Sequence, residues 1–215
     1  MSESTTVEAA SGSATESVSE AVSESESTRA RLLTVAERLL LESGYDAVSV
    51  RAINTAAGMN PAAVHYHFGS KDALVAALLE DRLAPIWQDA LDRLERRRRD
   101  GRVPSVPELV EVILGPLGEL AADPVGRLRL HLLARVVLGG HRLEWTSRWF
   151  GLRSWTELLR AARPGLGERE ATERWSLAFQ LVLQFFGDPL ARTPRTCPLS
   201  LDTLRGFVIA GLAAA

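Results

Sequence analysis

Cys197, the only cysteine, and the pair His65 and His67 are the first candidates for catalysis or metal binding in this 215-residue chain. A thiol nucleophile needs a positioned base, and no pattern marks one near the segment Thr-Pro-Arg-Thr-Cys-Pro. A single cysteine also excludes an intrachain disulfide and a multi-cysteine zinc site. Side chains two positions apart on a helix diverge by about 200°, so the two histidines cannot share one ion. We therefore predict that the chain is not an enzyme and binds neither a metal nor a cofactor.

The residues around these histidines suit close approach to another surface. Asn60 followed by Pro61 predicts the start of a short helix, about residues 61–67, because asparagine caps helices and proline fits the first helical position. With Val64 toward the core, helical spacing places four residues on or beside the outward face: Ala62, Ala63, His65 and Tyr66. In a DNA major groove, alanine can contact a thymine methyl, and tyrosine or histidine can bond to phosphates or base edges.

Two cations flank this helix in the sequence. Arg51 lies early in the preceding helix, where an arginine can contact phosphate or read guanine, although a plain surface role is the alternative. Lys71 is the only lysine of the chain and lies beside Ser70 at the start of the next helix. A helix N-terminus favours phosphate, which makes Lys71 a candidate for a backbone contact.

The elements that must position these residues are short helices. An apolar stripe at helical spacing predicts a first helix from Thr28: Leu32, Val35, Ala36, Leu39 and Leu40. Ser49 is a good N-cap for a second helix, and Gly58 and Gly69 can end the second and third with positive φ. Three helices joined in this way predict a helix-turn-helix, and a generic bundle with a glycine turn is the alternative.

The run from Ser49 to Leu74 closely resembles the DNA-binding domain of the tetracycline-repressor (TetR) family. The resemblance rests on the pattern Ala-Gly…Val-x-Tyr-His-Phe-x-Ser-Lys-acid-x-Leu and covers about residues 26–86. It implies a homodimer on a pseudo-palindromic DNA operator, and a C-terminal domain with a small-molecule pocket and the dimer interface. It implies these DNA contacts: Ser49, Arg51, Asn60, Pro61, Ala62, Ala63, His65, Tyr66 and Lys71. The chain departs from the usual family pattern at two positions. His65 stands where many members have tyrosine, and Asn54 stands where alanine is usual. We expect Asn54 to affect packing or to make a polar contact.

Charge is distributed unevenly along the chain. The formal net charge is −2, from 25 bases and 27 acids, which at first argues against a nucleic-acid binder. Six of the acids, all glutamates, lie in residues 1–27, so the remainder has 25 bases against 21 acids and a charge of +4.

Residues 1–27 hold no aromatic residue, leucine or isoleucine, and we predict a disordered acidic tail.

We predict an all-α protein of two domains after this tail. Residues 28–84 form the helix-turn-helix DNA-binding domain, with the motif itself at 49–68. Residues 85–215 form a helical domain for effector binding and dimerisation, with these predicted helices: 85–100, 106–121, 124–138, 141–162, 168–187 and 199–213. We expect no membrane segment and no secretory signal, and hence a cytoplasmic protein associated with the nucleoid.

The last two helices are the predicted dimer interface. The segment from Ala171 to Phe186 is apolar nearly all round, and such a helix must be buried on every side. We predict that a partner subunit covers one side, with these interface residues: Trp175, Phe179, Val182, Phe186, Leu204, Val208 and Leu212. A purely internal core is the alternative.

Aromatic residues with a few polar neighbours predict a small-molecule pocket in the same domain. The predicted ligand-binding residues are Trp87, His131, Trp145, Trp149, Trp175 and Phe179, and ordinary core packing is the alternative for each. We expect a repressor that a small hydrophobic ligand releases from its operator. An activator, a ligand-independent regulator, and a helical protein-interaction module without DNA binding are the alternatives.

Overall fold

A computed structural model describes residues 9–139, 145–187 and 200–214, with side chains from residue 25 onward. Every regular element in these ranges is helical, so the predicted all-α class is confirmed. The α-helices are α1 (Ala9–Ser43), α2 (Val50–Ala56), α3 (Ala63–Phe68), α4 (Lys71–Arg99), α5 (Val106–Leu120), α6 (Pro124–Leu138), α7 (Leu152–Ala162), α8 (Glu168–Phe186) and α9 (Leu201–Ala213). A 3₁₀ turn, Arg148–Phe150, precedes α7. Within the described residues, no helix is both long and apolar enough to cross a membrane.

The chain divides into two compact units, one up to Lys71 and one from Asp72 onward. The domain boundary predicted after residue 84 lies inside α4, which runs continuously through Pro85. The predicted helix at 85–100 is therefore the second half of a longer helix. A proline removes only one backbone donor, and the remaining hydrogen bonds of a long helix can carry it.

The first unit contains α1, α2 and α3. The predicted stripe of α1 supplies much of its core, where Leu32, Ala36 and Leu40 are buried together with Ile53 of α2 and Val64 of α3. The backbone of α1 is already helical from Ala9, inside the segment for which we predict a disordered acidic tail. Residues 9–27 lack the apolar stripe that packing requires, and serine is their most frequent residue, so the sequence gives no reason for this part of the helix.

The second unit packs α5, α7, α8 and α9 around a core of leucines and tryptophans. The predicted helices at 106–121, 124–138, 168–187 and 199–213 agree with α5, α6, α8 and α9 to within two residues at each end. Side chains cap the starts of α5, α6 and α9, namely Ser105, Asp123 and Ser200. The single helix predicted at 141–162 is wrong, because its described part contains the 3₁₀ turn and the shorter α7.

Candidate nucleic-acid interface and ligand cavity

Asn54 joins the two helices of the helix-turn-helix. Its side chain is only 1% exposed, its Nδ2 donates to the carbonyl of Pro61 (2.5 Å), and its Oδ1 accepts from the backbone N–H of Val64 (3.1 Å). The N–H of Val64 lies in the first turn of α3, where helix geometry leaves backbone N–H groups without an intrahelical partner, and Pro61 lies just before that turn. The expected polar contact of Asn54 is present, and it bridges α2 and α3.

The outward face of α3 is dominated by Tyr66, whose side chain is 84% exposed. Pro61, Ala62 and His65 are also exposed, as predicted for residues that approach DNA. The placement of Ala63 was wrong, because its side chain is 8% exposed and lies on the core side. The helix begins at Ala63 and not at Pro61, so the two residues before it form a turn and the outward face is narrower than the spacing predicted.

The two histidines of α3 have different surroundings. The Nδ1–H of His65 donates to the carbonyl of Gly69 (2.9 Å), which ties the exposed ring to the end of the helix. His67 is half-buried, and its ring meets the ring of Tyr66 edge-on with centroids 5.0 Å apart. Among the described residues, no group of three or more histidine, cysteine, aspartate or glutamate side chains could hold a metal ion. Cys197 lies outside the described residues.

Ser49, Arg51 and Asn60 hold the edges of the same surface. Ser49 caps α2, because its Oγ accepts from the backbone N–H of Ala52 (3.1 Å). Asn60 accepts from the N–H of Ala62 (2.9 Å) and so caps the turn before α3. Arg51 is exposed in the first turn of α2 and pairs with no acidic side chain in the described part of the chain. Its guanidinium can therefore meet a phosphate or a base without first breaking an ion pair.

Lys71 has a structural contact that the sequence did not predict. Its Nζ donates to the carbonyl of Tyr45 and lies 3.9 Å from the centroid of the Tyr45 ring. A cation over an aromatic ring is attracted by its π-electrons. The ammonium group thus links the turn after α1 to the start of α4, and its predicted phosphate contact remains a prediction.

The second unit encloses a cavity of about 600 Å³. Its wall comes from α4, α5, α6, α7, α8 and the segment 145–151. Four residues predicted to bind ligand line it: Trp87, Trp145, Trp149 and Phe179. Three residues outside the predicted set line it as well: Trp155, Gln180 and Gln184. Trp155 and Gln184 carry the same signal as the predicted residues, a tryptophan or a polar side chain in an apolar stretch, and Gln180 carries no such signal.

Two residues predicted to bind ligand do not line this cavity. Trp175 is buried in the core, where its ring stacks on Phe179 with centroids 5.2 Å apart. His131 faces the end of α8, and its Nδ1–H donates to the carbonyl of Gly187 (3.0 Å). Both predictions are corrected, because these side chains serve packing and the attachment of α6 to α8.

Acidic residues of α4 anchor the segment that supplies Trp145, Trp149 and Phe150 to the cavity. Glu80 accepts hydrogen bonds from the hydroxyl of Thr146 and the backbone N–H of Ser147, both at 2.7 Å. Farther along α4, the mostly buried Glu95 pairs with Arg148 at 2.6 Å. One wall of the cavity is therefore tied to α4 at two points.

The predicted dimer residues lie mainly inside the subunit. Five of them are buried by the chain's own core: Trp175, Val182, Leu204, Val208 and Leu212. Phe179 lines the cavity, and Phe186 is half-buried against the core. The apolar residues left exposed on these two helices are instead Leu177 of α8, 67% exposed, and Phe207 of α9, 69% exposed. The five buried residues are therefore not exposed to a partner subunit, because other helices of the same subunit cover them, and the dimer interface itself stays a prediction.

Comparison with known proteins gives matches to regulators. Residues 32–78 match the family described as bacterial regulatory proteins, tetR family. The HTH-type transcriptional regulator UidR of Escherichia coli K12 is 34% identical over 56 residues, which are 26% of this chain and 29% of that relative. The match thus spans under a third of the curated relative's length.

Solved structures extend the similarity along the chain. NalD, described as the secondary repressor of the MexAB-OprM multidrug efflux pump in Pseudomonas aeruginosa, is 26% identical with a TM-score of 0.53, over 87% of this chain and 96% of that one. A TetR transcriptional regulator from Rhodococcus sp. RHA1 is 16% identical with a TM-score of 0.55, over 87% and 94% of the two chains, and supports the fold alone.

Proposed function

We propose that the protein is a transcriptional regulator that binds operator DNA, because residues 32–78 match the tetR family of bacterial regulatory proteins and the HTH-type regulator UidR is similar over 56 residues. The observation that carries the proposal is the helix-turn-helix itself. Asn54 bonds α2 to the start of α3, and α3 presents Tyr66 outward. Arg51 is exposed on α2 and makes no ion pair with a described residue. Arg51 and Tyr66 supply donors for phosphates and base edges, and the small Ala62 permits close approach.

The proposed DNA-binding form is a homodimer on a palindromic operator. Leu177 and Phe207 support it, because large apolar side chains exposed on neighbouring helices mark an interaction surface. Gly206 and Gly211 of α9 have open space where a side chain would stand, which allows a partner helix to approach closely. A two-fold axis through such a surface would create a four-helix arrangement.

The proposed effector is a small apolar molecule in the cavity of the second unit. A volume of about 600 Å³ with mostly apolar lining lies within the range of known ligand sites. The effector would act by population shift and favour a dimer whose recognition helices no longer match successive major grooves, about 34–36 Å apart. NalD is described as a repressor. This supports a repressor, and not an activator, as the role of the present protein.

The proposed regulator has no catalytic role. We propose that it acts in the cytoplasm, in association with the nucleoid. Cys197 is the only thiol that a competing enzyme hypothesis could use. We expect Cys197→Ser to leave operator binding unchanged. If the unmodified protein catalysed a reaction and the Cys197→Ser variant did not, the enzyme hypothesis would be supported instead.

Selection of bound DNA from a random pool tests the proposed function directly. We expect a palindromic consensus, and an affinity for it that falls steeply with salt because bound counterions are released. The control is a scrambled duplex of the same composition, which should bind weakly. A pool without enrichment would contradict the proposal and favour a helical interaction module that does not bind DNA.

A further inference from the structure

We propose that Arg29 and Arg31 of α1 bind DNA phosphates beside the two ends of α3. This proposal rests on the proposed function and adds to it two cations from outside the helix-turn-helix motif. Side chains two positions apart on a helix diverge by about 200°, so the two guanidinium groups reach different places. One lies at the end of α3, and the other lies at the turn before it.

Arg29 lies at the end of α3. Its guanidinium carbon is 5.0 Å from the centroid of the Phe68 ring, and Phe68 is the last residue of that helix. An aromatic ring attracts a cation but carries no net charge, so this contact holds the guanidinium group without neutralising it. Arg29 is exposed, and its N–H donors can therefore reach an anion that approaches this end of α3.

Arg31 lies at the turn that joins α2 to α3. Its Nη2 is 3.4 Å from the position that a Cβ on Gly58 would take, and Gly58 forms this turn with a φ of +64°. Arg31 is exposed. Its guanidinium group therefore lies beside the chain that leads into α3, where a bound DNA backbone can meet it.

The surface next to these two cations contains no carboxylate. No acidic residue occurs between Asp46 and Asp72 in the sequence, so α2, the turn and α3 carry none. Within the described residues, neither Arg29 nor Arg31 forms an ion pair, and the exposed Glu26 of α1 pairs with neither. Guanidinium groups form strong, charge-assisted hydrogen bonds with phosphate oxygens. A phosphate can therefore approach both arginines across a surface that does not repel it.

The positions of the two arginines favour phosphates over base edges. The outward face of α3 carries Tyr66, and this face would meet the bases, while the ends of a helix in the major groove lie nearer the phosphates of its walls. Phosphate contacts position a protein on DNA but carry no sequence information directly. The two arginines should therefore add affinity and salt dependence without adding sequence preference.

The salt dependence of DNA binding tests the proposal. The full-length protein is titrated into two fluorescently labelled duplexes, the selected consensus and a scrambled sequence of the same composition, at about 50 to about 200 mM salt. We expect Arg29→Gln and Arg31→Gln each to reduce the slope of log affinity against log salt by about 1 per bound subunit. Each should weaken both duplexes by the same factor, because a phosphate contact is independent of sequence.

Arg38→Gln is the matched control, because Arg38 is exposed on the same helix and forms an ion pair with Glu42 (2.9 Å). It removes the same charge from the chain and should leave the slope unchanged. Arg29→Lys keeps the charge and should keep the slope. A thermal melt measures whether each variant is folded, and if Arg29→Gln is not, the slope of Arg31→Gln alone decides.

The outcomes separate this proposal from the proposed function. If the unmodified protein binds with salt-dependent affinity and the slopes of the glutamine variants are unchanged, only the two phosphate contacts are overturned. An equal fall of the slope in Arg38→Gln would also overturn them, because the charge of the chain alone would then explain the effect. If the unmodified protein binds neither duplex, both the regulator and the two contacts are overturned.

Discussion

At the scale of single residues, Asn54 bonds α2 to the start of α3 in the proposed DNA-binding surface. We expect Asn54→Ala to destabilise the protein by about 1–3 kcal/mol, because it leaves the buried N–H of Val64 without its acceptor. Urea denaturation measures the free energy of unfolding, and an operator titration should show weaker binding in the same variant. Thr55→Ala, at the exposed neighbouring position, is the control and should change neither quantity appreciably. If the free energy of unfolding of Asn54→Ala were unchanged, the hydrogen bonds from Asn54 to Pro61 and Val64 would not stabilise the packing of α3 on α2.

Arg51 carries the prediction about DNA contact. We expect Arg51→Ala to weaken operator binding by about 1–3 kcal/mol and to relax specificity at one position if the guanidinium reads a base. If it touches only phosphate, the loss should be uniform across sequences. Arg153→Ala is the control, because Arg153 is exposed in the second unit and pairs there with Glu157 on the same helix. An operator titration without any change would remove Arg51 from the proposed contacts.

Residues whose roles follow from local rules were predictable from the sequence. The Ser49 cap depends on chain neighbours alone, and the exposure of Tyr66 follows from its spacing to Val64. Ala63 and Lys71 were harder, because the first depends on where α3 begins and the second meets the carbonyl of Tyr45, 26 positions earlier in the chain. No periodicity encodes such a contact.

At the scale of elements, the start of α5 is held by a reciprocal cap. Ser105 accepts from the backbone N–H of Glu108, and Glu108 accepts from the backbone N–H of Ser105 (2.8 Å) and from Arg97 (3.0 Å). Hydrogen bonds from the backbone and then the side chain of Ser105, followed by that of Arg97, lower the pKa of the Glu108 carboxyl below its ordinary value of 4.5. A carboxyl with a lowered pKa in the folded state stabilises that state above its ordinary pKa, and the contribution is lost as the pH falls through the lowered value.

We therefore expect Ser105→Ala to destabilise the protein by about 0.5–2 kcal/mol at neutral pH. Glu108→Gln should lower the free energy of unfolding at neutral pH. The part of this loss that comes from the carboxylate charge should vanish at a pH below the lowered pKa. Urea denaturation at neutral and acidic pH measures both effects. Glu119→Gln, near the far end of α5, is the control, and a constant deficit of Glu108→Gln at every pH would contradict the prediction.

Helix periodicity and capping residues predicted α5, α6, α8 and α9 well, since both signals are local. The walls of the cavity were only partly predictable. Glu80 holds Thr146 and Ser147 across 66 and 67 positions of sequence, a contact that no local pattern predicts. His131 and Trp175 were misplaced for the same reason, because His131 bonds to the end of α8 and Trp175 packs on Trp155 of α7.

At the scale of the whole molecule, the dimer prediction concerns the outer surface of α8 and α9. We expect Leu177→Glu combined with Phe207→Glu to convert a dimer to a monomer, because charges placed in an apolar interface lose water without gaining partners. Size-exclusion chromatography with light scattering at micromolar concentration measures the mass. Val103→Glu is the matched control, since Val103 is a half-exposed apolar residue outside both helices.

A monomeric unmodified protein would contradict the homodimer, and a dimeric double variant would place the interface elsewhere. The sequence predicted which two helices carry apolar residues on many sides but could not predict which side remains uncovered. That depends on the neighbouring helices, which pack on Trp175, Val182 and Val208 and leave Leu177 and Phe207 exposed.

The tryptophans around the cavity have a further consequence for measurement. Trp87, Trp145, Trp149 and Trp155 line the cavity, and they are four of the five tryptophans in the chain. A molecule that enters the cavity should therefore change the intrinsic fluorescence of the protein, and that change can be followed without attaching a label.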